Sequence, residues 1–318
     1  MADEKKLSGA EQQPVVSVII LNWNGKDDTL ECLDSLRRLD YPKQRIEVIV
    51  SDNGSTDGSQ AAIKEKFEQM KSEGWRKLDL IENGTNIGAP AAYNSAWEKV
   101  GEDVKYIFKL DNDVALKEDV LSVLVDRLES NPEIGVIGPR IVYYLNPEVT
   151  AHGAGFIQWW RGKPFWKDSQ ELIKCDFVTG CAVLIRREAI EKLGHFLDER
   201  FFVYWDDTDL CLELREIGYL TYYEPSTYVA HKVSKTTGHE SPFRVYYMSR
   251  NKVLFMRKHA SLPSFALFCA LHILWMPAYA IWIFGKYRKF PLKYVIERNR
   301  AYIKGYLHGF LNRYGKIY

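Results

Sequence analysis

Two aspartates separated by one residue, Asp111 and Asp113, close an apolar run and are well suited to chemistry. At the end of an extended segment, side chains alternate, so both carboxylates project to the same side. Two hard oxygen ligands so placed suit Mg²⁺ or Mn²⁺, which bind through one or two carboxylates and leave room for substrate phosphates. A second acidic pair, Asp206-Asp207, opens a helical segment. His231 follows a further apolar run, and Asp52-Asn53-Gly54-Ser55 forms a polar cluster at the end of another. Each piece alone also fits a blander role: a solvated turn, negative charge at a helix start, a structural histidine.

The elements that must hold these residues alternate. Residues 15–21 and 46–50 are β-branched, apolar strands ending in Asn22-Trp23-Asn24-Gly25 and in the Asp52 cluster. Helical spacing over 28–39 and 57–70 separates them, a third strand covers 78–81, and a helix over 89–100 precedes the strand 106–110 that runs into Asp111. Such alternation predicts an α/β sheet with ligands at the carboxyl ends of its strands. Further on, 134–142 reads as a strand pair, 153–166 is rich in Gly and aromatics without a clear period, and 177–185 reads as a strand. A helix spans 187–193, another runs from 206 to 217, and a strand at 220–223 leads towards His231. Neither a GxGxxG nor a GxxxxGK[ST] pattern occurs, which disfavours dinucleotide cofactors and a P-loop.

Composition is that of a globular protein, 46% hydrophobic and 27% charged. Five Cys without a CxxC pair argue against a disulfide scaffold or a cysteine zinc site and fit a reducing, cytoplasmic compartment. The net charge of +1 conceals two halves. Residues 286–318 carry nine Lys/Arg and one acid (+8), leaving 34 bases and 41 acids (−7) before them. That division suggests metal-assisted chemistry in the body and an anionic surface, not nucleic acid, for the tail. A basic helical hairpin packed on the body is the alternative.

Taken in order, Asn22-Trp23-Asn24, the run 52–58, Asn83-x-x-Asn86-x-Gly88, Asp111-Asn112-Asp113, Thr179-Gly180, Trp205-Asp206-Asp207-x-Asp209 and His231 resemble the motif series of inverting family 2 glycosyltransferases of the GT-A fold. Leu21 to Gly25, Thr179-Gly180 with Arg186-Arg187, and Arg250-Asn251 before a hydrophobic stretch are most similar to the rhamnosyltransferase-like branch. One departure matters: Asp206-Asp207 stands where that branch commonly has Glu-Asp, which leaves Asp207 as the match for the base.

The resemblance implies a nucleotide-diphospho-sugar transferase with a mixed, mostly parallel sheet flanked by helices. It implies that Asp52 accepts from the base edge of a nucleotide and that Leu21, Asn22, Trp23 and Asn24 lie against base and ribose. Asn86, Gly88 and Asn112 would line the nucleotide pocket. Asp111 would meet ribose or metal, Asp113 would hold the Mg²⁺ or Mn²⁺ that bridges the diphosphate, and His231 would complete the shell. Asp207, with Asp206 beside it, would deprotonate the acceptor hydroxyl. Asp209 is better suited to anchoring its helix. Gly180, Cys181 and Trp205 are assigned to the acceptor pocket, although Cys181 and Trp205 suit a core equally. The implied donor is dTDP-rhamnose or a UDP-sugar, and the implied acceptor a glycan or polyprenyl-linked saccharide.

Residues 1–13 read as a disordered leader, 14–258 as the catalytic domain (14–113 for the nucleotide, 114–258 for acceptor and catalysis) and 259–318 as a hydrophobic, then basic, helical region. Residues 262–285 contain no Asp, Glu, Lys or Arg, but Pro263 and Pro277 interrupt them and basic residues flank both ends. A crossing would carry the +8 tail to the far side, against the positive-inside tendency. A helix pair lying on the cytoplasmic face of an anionic membrane, with Trp275 and Trp282 at headgroup level, fits better; a core helix or a homo-oligomer contact remains open. The competing functions are a sugar-phosphate nucleotidyltransferase, which usually carries a Gly-rich, basic N-terminal loop, and a non-catalytic nucleotide-sugar or glycan-binding module, which has no need of a base.

Overall fold

The computed structural model describes residues 13–232 and 241–317; the leader expected at 1–13 lies almost wholly outside them. The first half alternates as its apolar periods predict: β1 (Val16–Asn22), α1 (Lys26–Leu36), β2 (Ile46–Asp52), α2 (Ser59–Lys71), β3 (Lys77–Glu82), α3 (Ala89–Trp97) and β4 (Tyr106–Asp111). Next come β5 (Val114–Leu116), α4 (Val120–Ser130), β6 (Ile134–Tyr143), β7 (Asn146–His152), β8 (Ala154–Gln158), β9 (Lys163–Lys167), β10 (Ile173–Cys175), β11 (Ala182–Arg186) and α5 (Arg187–Leu193). The chain continues through α6 (Asp206–Glu216), β12 (Leu220–His231), α7 (Pro242–His259), α8 (Leu262–Lys286) and α9 (Leu292–Phe310).

One ten-stranded mixed sheet, ordered β10-β12-β6-β11-β4-β1-β2-β3, forms the centre, with β5 on β12 and β7 on β6. The β4-β1-β2-β3 half is parallel throughout. Beyond β4 the pattern changes, because β11 enters antiparallel between β4 and β6. β6 and β12 are again parallel, whereas β5, β7 and β10 pair antiparallel. Alternation splits the strand residues between two cores: Ile19, Ile107 and Ile185 face one, and Val18, Ile20, Phe108 and Leu184 the other.

The second half departs from the expected elements in ways that shape the site. Residues 134–142 belong to a single strand, not a pair, and 153–166 contribute to a hairpin, β8-β9, joined by a 3₁₀ turn at Trp159–Arg161. The strand expected at 177–185 starts only at Ala182, because 177–181 form the turn that carries Thr179 and Gly180. Apolarity marked these residues as buried, but a tight buried turn and a strand share that signal.

The C-terminal helix of the basic stretch is packed, although most of its cations stay exposed. α9 lies against α7, where Gly305 and Gly309 permit backbone contact: a Cβ at Gly305 would stand 2.6 Å from the Tyr246 carbonyl oxygen, and one at Gly309 2.8 Å from that of Arg250. α8, in contrast, exposes Ile273, Leu274, Trp275, Ile281 and Trp282, with Trp275 66% exposed. No helix among the described residues is long and apolar enough to cross a membrane.

Candidate active site

Strand β4 delivers Asp111 to the carboxyl end of the sheet between β1 and β11. Two residues on, β5 pairs with β12 so that Val114 lies opposite His231, and the Lys232 amide donates to the Asp113 carbonyl. This register sets His231 Nε2 3.1 Å from Asp113 Oδ1. One ligand atom each from Asp111, Asp113 and His231 lies within 4.8 Å of the others. Two carboxylates and an imidazole suit Mn²⁺ or Mg²⁺, and His231 Nδ1 is buried without a hydrogen-bond partner, so the donor set fits such an ion. Burial raises the Asp111 pKa despite the opposing Lys109 ammonium. For His231, burial works against the charged ring, but the neighbouring Cys181 and Asp113 prevail and push it up to about 11.

Two residues that the sequence reading passed over organise this floor. The Tyr93 hydroxyl, from α3, lies 3.0 Å from Asp111 Oδ1 and 2.8 Å from the Leu110 carbonyl oxygen. Lys109, only 3% exposed, donates to the Gly180 carbonyl at 2.8 Å and lies over the Tyr93 ring. Its signal was visible, since a lysine inside an apolar central strand needs a partner.

The acidic pair reaches the same cavity by a strained route. Phe202, Tyr204 and Trp205 all have φ near +64 to +74°, a region that costs non-glycine residues on the order of 1–3 kcal/mol each. Arg250 and Asn251 of α7 hold this run. Arg250 donates to the Arg200 and Phe201 carbonyls, and Asn251 Nδ2 lies within bonding distance of the carbonyls of Phe201, Val203 and Tyr204. At the start of α6, Asp207 then accepts from the Gly180 amide at 2.7 Å and from the Thr208 amide at 2.6 Å. Asp209, fully buried, pairs instead with Lys258 and His259 of α7.

Gly180 is therefore gripped on both sides, its N–H by Asp207 and its carbonyl by Lys109. A Cβ there would stand 2.6 Å from the Asp207 Cβ. Gly180→Ala is expected to displace the Asp207 carboxylate and reduce turnover by about 10²-fold, as misplacement of a reacting group does, with little change in melting temperature. Steady-state kinetics beside a thermal melt checks this.

Asp206 titrates differently from an ordinary carboxyl. Burial raises it to about 7, with Lys109 opposing and Asp207 adding to the rise. The folded protein thus keeps a proton that the unfolded chain releases near pH 4, so stability falls as pH rises from about 4 to about 7. Asp206→Asn should remove that slope. The melting temperature of the variant relative to wild type, measured in EDTA, is expected to climb across that window and to level off above it.

These residues enclose a cavity of about 420 Å³. It brings together Asp111, Asn112, Asp113, His231, Asp206, Asp207, Gly180, Cys181, Trp205, Leu21 and Trp23 of the expected site, and adds Lys109, Tyr93 and Arg244. Trp205 and Cys181 line the cavity and also pack in the cores. Among the described residues, Thr179 Oγ1 and Trp205 Nε1 are buried there without partners.

Asn22, Asn24, Asp52, Asn86 and Gly88 lie outside this lining, tying the strand-end loops together. Asp52 accepts from Asn22 (2.6 Å), the Ser55 amide and Gln60. Burial would raise its pKa, but these donors hold it below the usual carboxylate value. Asn22 Oδ1 in turn receives Asn112 and Thr29. Asn24 accepts from the Thr56 amide, and Asn86 from Asn53 and the Gly88 amide. At Gly88, φ is +96° and an added Cβ would stand 2.8 Å from the Phe202 carbonyl oxygen, so only glycine fits.

The family model described as Glycosyl transferase family 2 matches residues 17–194, more than half of the chain. The chain is a family 2 glycosyltransferase. A second model, Glycosyl transferase family group 2, matches residues 106–287. Among its relatives, this glycosyltransferase is 27% identical over 222 residues to the N-acetylglucosaminyl-diphospho-decaprenol L-rhamnosyltransferase of Mycobacterium tuberculosis, covering 61% of this chain and 69% of that protein. It is 24% identical to the poly-beta-1,6-N-acetyl-D-glucosamine synthase of Staphylococcus epidermidis, covering 72% of this chain and 53% of the other. The fold is similar to that of a Pyrobaculum calidifontis mannosyltransferase solved with GDP-Man and Mn²⁺ (TM-score 0.62, 18% identity, 96% of this chain and 89% of that one). It is also similar to GalNAc-T7 solved with UDP, GalNAc and Mn²⁺ (TM-score 0.61, 16% identity, 78% and 48%). The expected GT-A fold and family 2 membership hold, and the rhamnosyltransferase-like resemblance has the mycobacterial relative behind it.

Proposed function

We propose that this glycosyltransferase moves a sugar from a nucleotide-diphospho-sugar, dTDP-rhamnose or a UDP-sugar, to a hydroxyl of a lipid-linked saccharide with inversion at the anomeric carbon. The observation that carries the reading is the meeting, in one cavity, of the Asp111–Asp113–His231 cluster with Asp207, a carboxylate aimed by backbone amides. Bound to that cluster, Mn²⁺ or Mg²⁺ would supply Lewis acidity and a template for the diphosphate. The remaining roles belong to side chains. Asp207 takes the proton of the acceptor hydroxyl as it attacks, a contribution of about 10²–10⁴-fold. Arg244 and Lys109 offset negative charge at the cavity, and the free donors of Trp205 and Thr179 suit sugar hydroxyls. Asp52 keeps the base-recognition role from its place behind the wall, through the Asn22 and Asn24 loop that it orders.

The lipid-linked acceptor is supported by the name of the mycobacterial relative and by the exposed apolar length of α8, which we assign to the cytoplasmic surface of an anionic membrane. Residues 14–258 then form the catalytic domain and 259–318 its membrane-facing helices. Family membership disfavours a sugar-phosphate nucleotidyltransferase. A donor panel tests the reading: nucleoside diphosphate should appear from one class of UDP- or dTDP-sugar when acceptor is present. Pyrophosphate from a nucleoside triphosphate and a sugar phosphate would overturn it.

A further inference from the structure

The half-buried Lys232 pairs with Asp28 and Glu31, and Lys258 with Asp198, Asp209 and Glu213, while the buried Lys109 and Arg250 are met by backbone carbonyls. One half-buried lysine has neither kind of partner. Lys252 of α7 is partly buried, yet neither it nor Lys163 of β9 has a hydrogen bond or ion pair among the described residues, and the Arg161 guanidinium rests only on the Trp160 ring. Burial pushes Lys252 down to about 8, and the charges of Lys163 and Arg161 add to the fall. His272 of α8 senses Lys252 and Arg161 in turn. Three elements therefore bring like charges together, two of them exposed to solvent and one, Lys252, partly withdrawn from it, with no carboxylate among the described residues paired to them, so an anion placed here would be favoured.

The position of the cluster says which anion. Arg244, Met248, Lys252 and Met256 follow one another at four-residue intervals, so they form a single stripe along α7. Arg244 and Met248 line the active-site cavity, as does Pro164 beside Lys163. Met256, at the other end, is met by Gly162 and lies close to Phe268 of α8. Lys252 thus stands about 6 Å along the helix from the cavity wall at Met248, between the cavity and the Phe268–His272 turn of α8, which the exposed Ile273 and Leu274 follow. Sugar, then phosphate, then hydrocarbon is the order of groups in a saccharide carried on a lipid diphosphate. We propose that Lys252, Lys163 and Arg161 form a binding site for the diphosphate of a polyprenyl-linked acceptor, its sugar in the cavity and its chain along α8. The inference rests on the lipid-linked acceptor proposed above.

The test uses the full chain in EDTA, so that no metal recruits phosphate at the aspartate cluster, with farnesyl diphosphate as the probe. Calorimetric binding should weaken at least tenfold in Lys252→Met and return to within about threefold of wild type in Lys252→Arg. The exposed pair Arg161→Ala/Lys163→Ala, which carries little folding risk, should weaken it likewise, while farnesol binds all forms equally. Unchanged affinity in Lys252→Met and in the double variant overturns the site. So does an equal loss for farnesol, or a loss confined to phosphatidylglycerol vesicles with farnesyl diphosphate unaffected. Binding is read without donor, so this result and the donor panel can fail independently of each other.

Discussion

Asp207→Asn is expected to fold, to bind nucleotide and to lose transfer by about 10²–10⁴-fold. Both carboxylate oxygens of Asp207 accept a backbone amide, Oδ2 from Gly180 and Oδ1 from Thr208, whose hydroxyl also donates to Oδ1; Oδ2 keeps a second lone pair for a hydroxyl proton. Asparagine preserves shape but not basicity. Its amide group also turns N–H bonds towards one of those two backbone donors, a local cost of about 1–3 kcal/mol, so a melting curve must accompany the kinetics. An intact fold with unchanged nucleotide affinity and lost turnover supports the base. Near-normal turnover removes Asp207 from the chemistry.

Asp113→Asn should have the second large effect. Its carboxylate is one of two in the cluster and the partner of His231 Nε2, and a metal's stabilisation of leaving-group charge is worth several kcal/mol. That corresponds to about 10²–10³-fold in turnover at a fixed Mn²⁺ concentration. Raising Mn²⁺ should restore part of the loss, because Asp111 and His231 remain. Chelation of the wild type with EDTA should abolish transfer, and re-addition of Mn²⁺ should recover it. A wild-type enzyme indifferent to EDTA would contradict the assignment of this cluster to a metal.

The residues at strand ends were legible because their position follows from local rules. An apolar run closing on Asp111-Asn112-Asp113 puts carboxylates at the edge of a buried strand, and acids preceding a helical period put Asp207 at a helix start. What brought them together was not local. The pairing of Val114 with His231 closes the cluster across more than a hundred residues, and the hold of Arg250 and Asn251 on 201–204 aims the acidic pair from another helix. Arg250-Asn251 was noticed as a pattern, but its physical purpose needed the left-handed run that it stabilises. Lys109 and Tyr93 escaped notice because apolar strand and helix periods absorbed them.

The tail shows the opposite failure. Its charge of +8 was counted correctly, yet counting could not see that Gly305 and Gly309 let α9 settle against α7. The apolar face of α8 stays open, as do most of the tail's cations.

The mechanism makes one commitment that a single measurement reaches. In the proposed mechanism Asp207 is the base, while burial raises Asp206 to about 7, so that near neutral pH about half of it carries a proton and it is the poorer nucleophile; a single displacement follows. The configuration of the transferred sugar, read by proton NMR on the product formed from donor and lipid-linked acceptor with Mn²⁺, should be opposite to that in the donor. A product of retained configuration, or no glycosylated product from any nucleotide-sugar of the panel, would contradict the account.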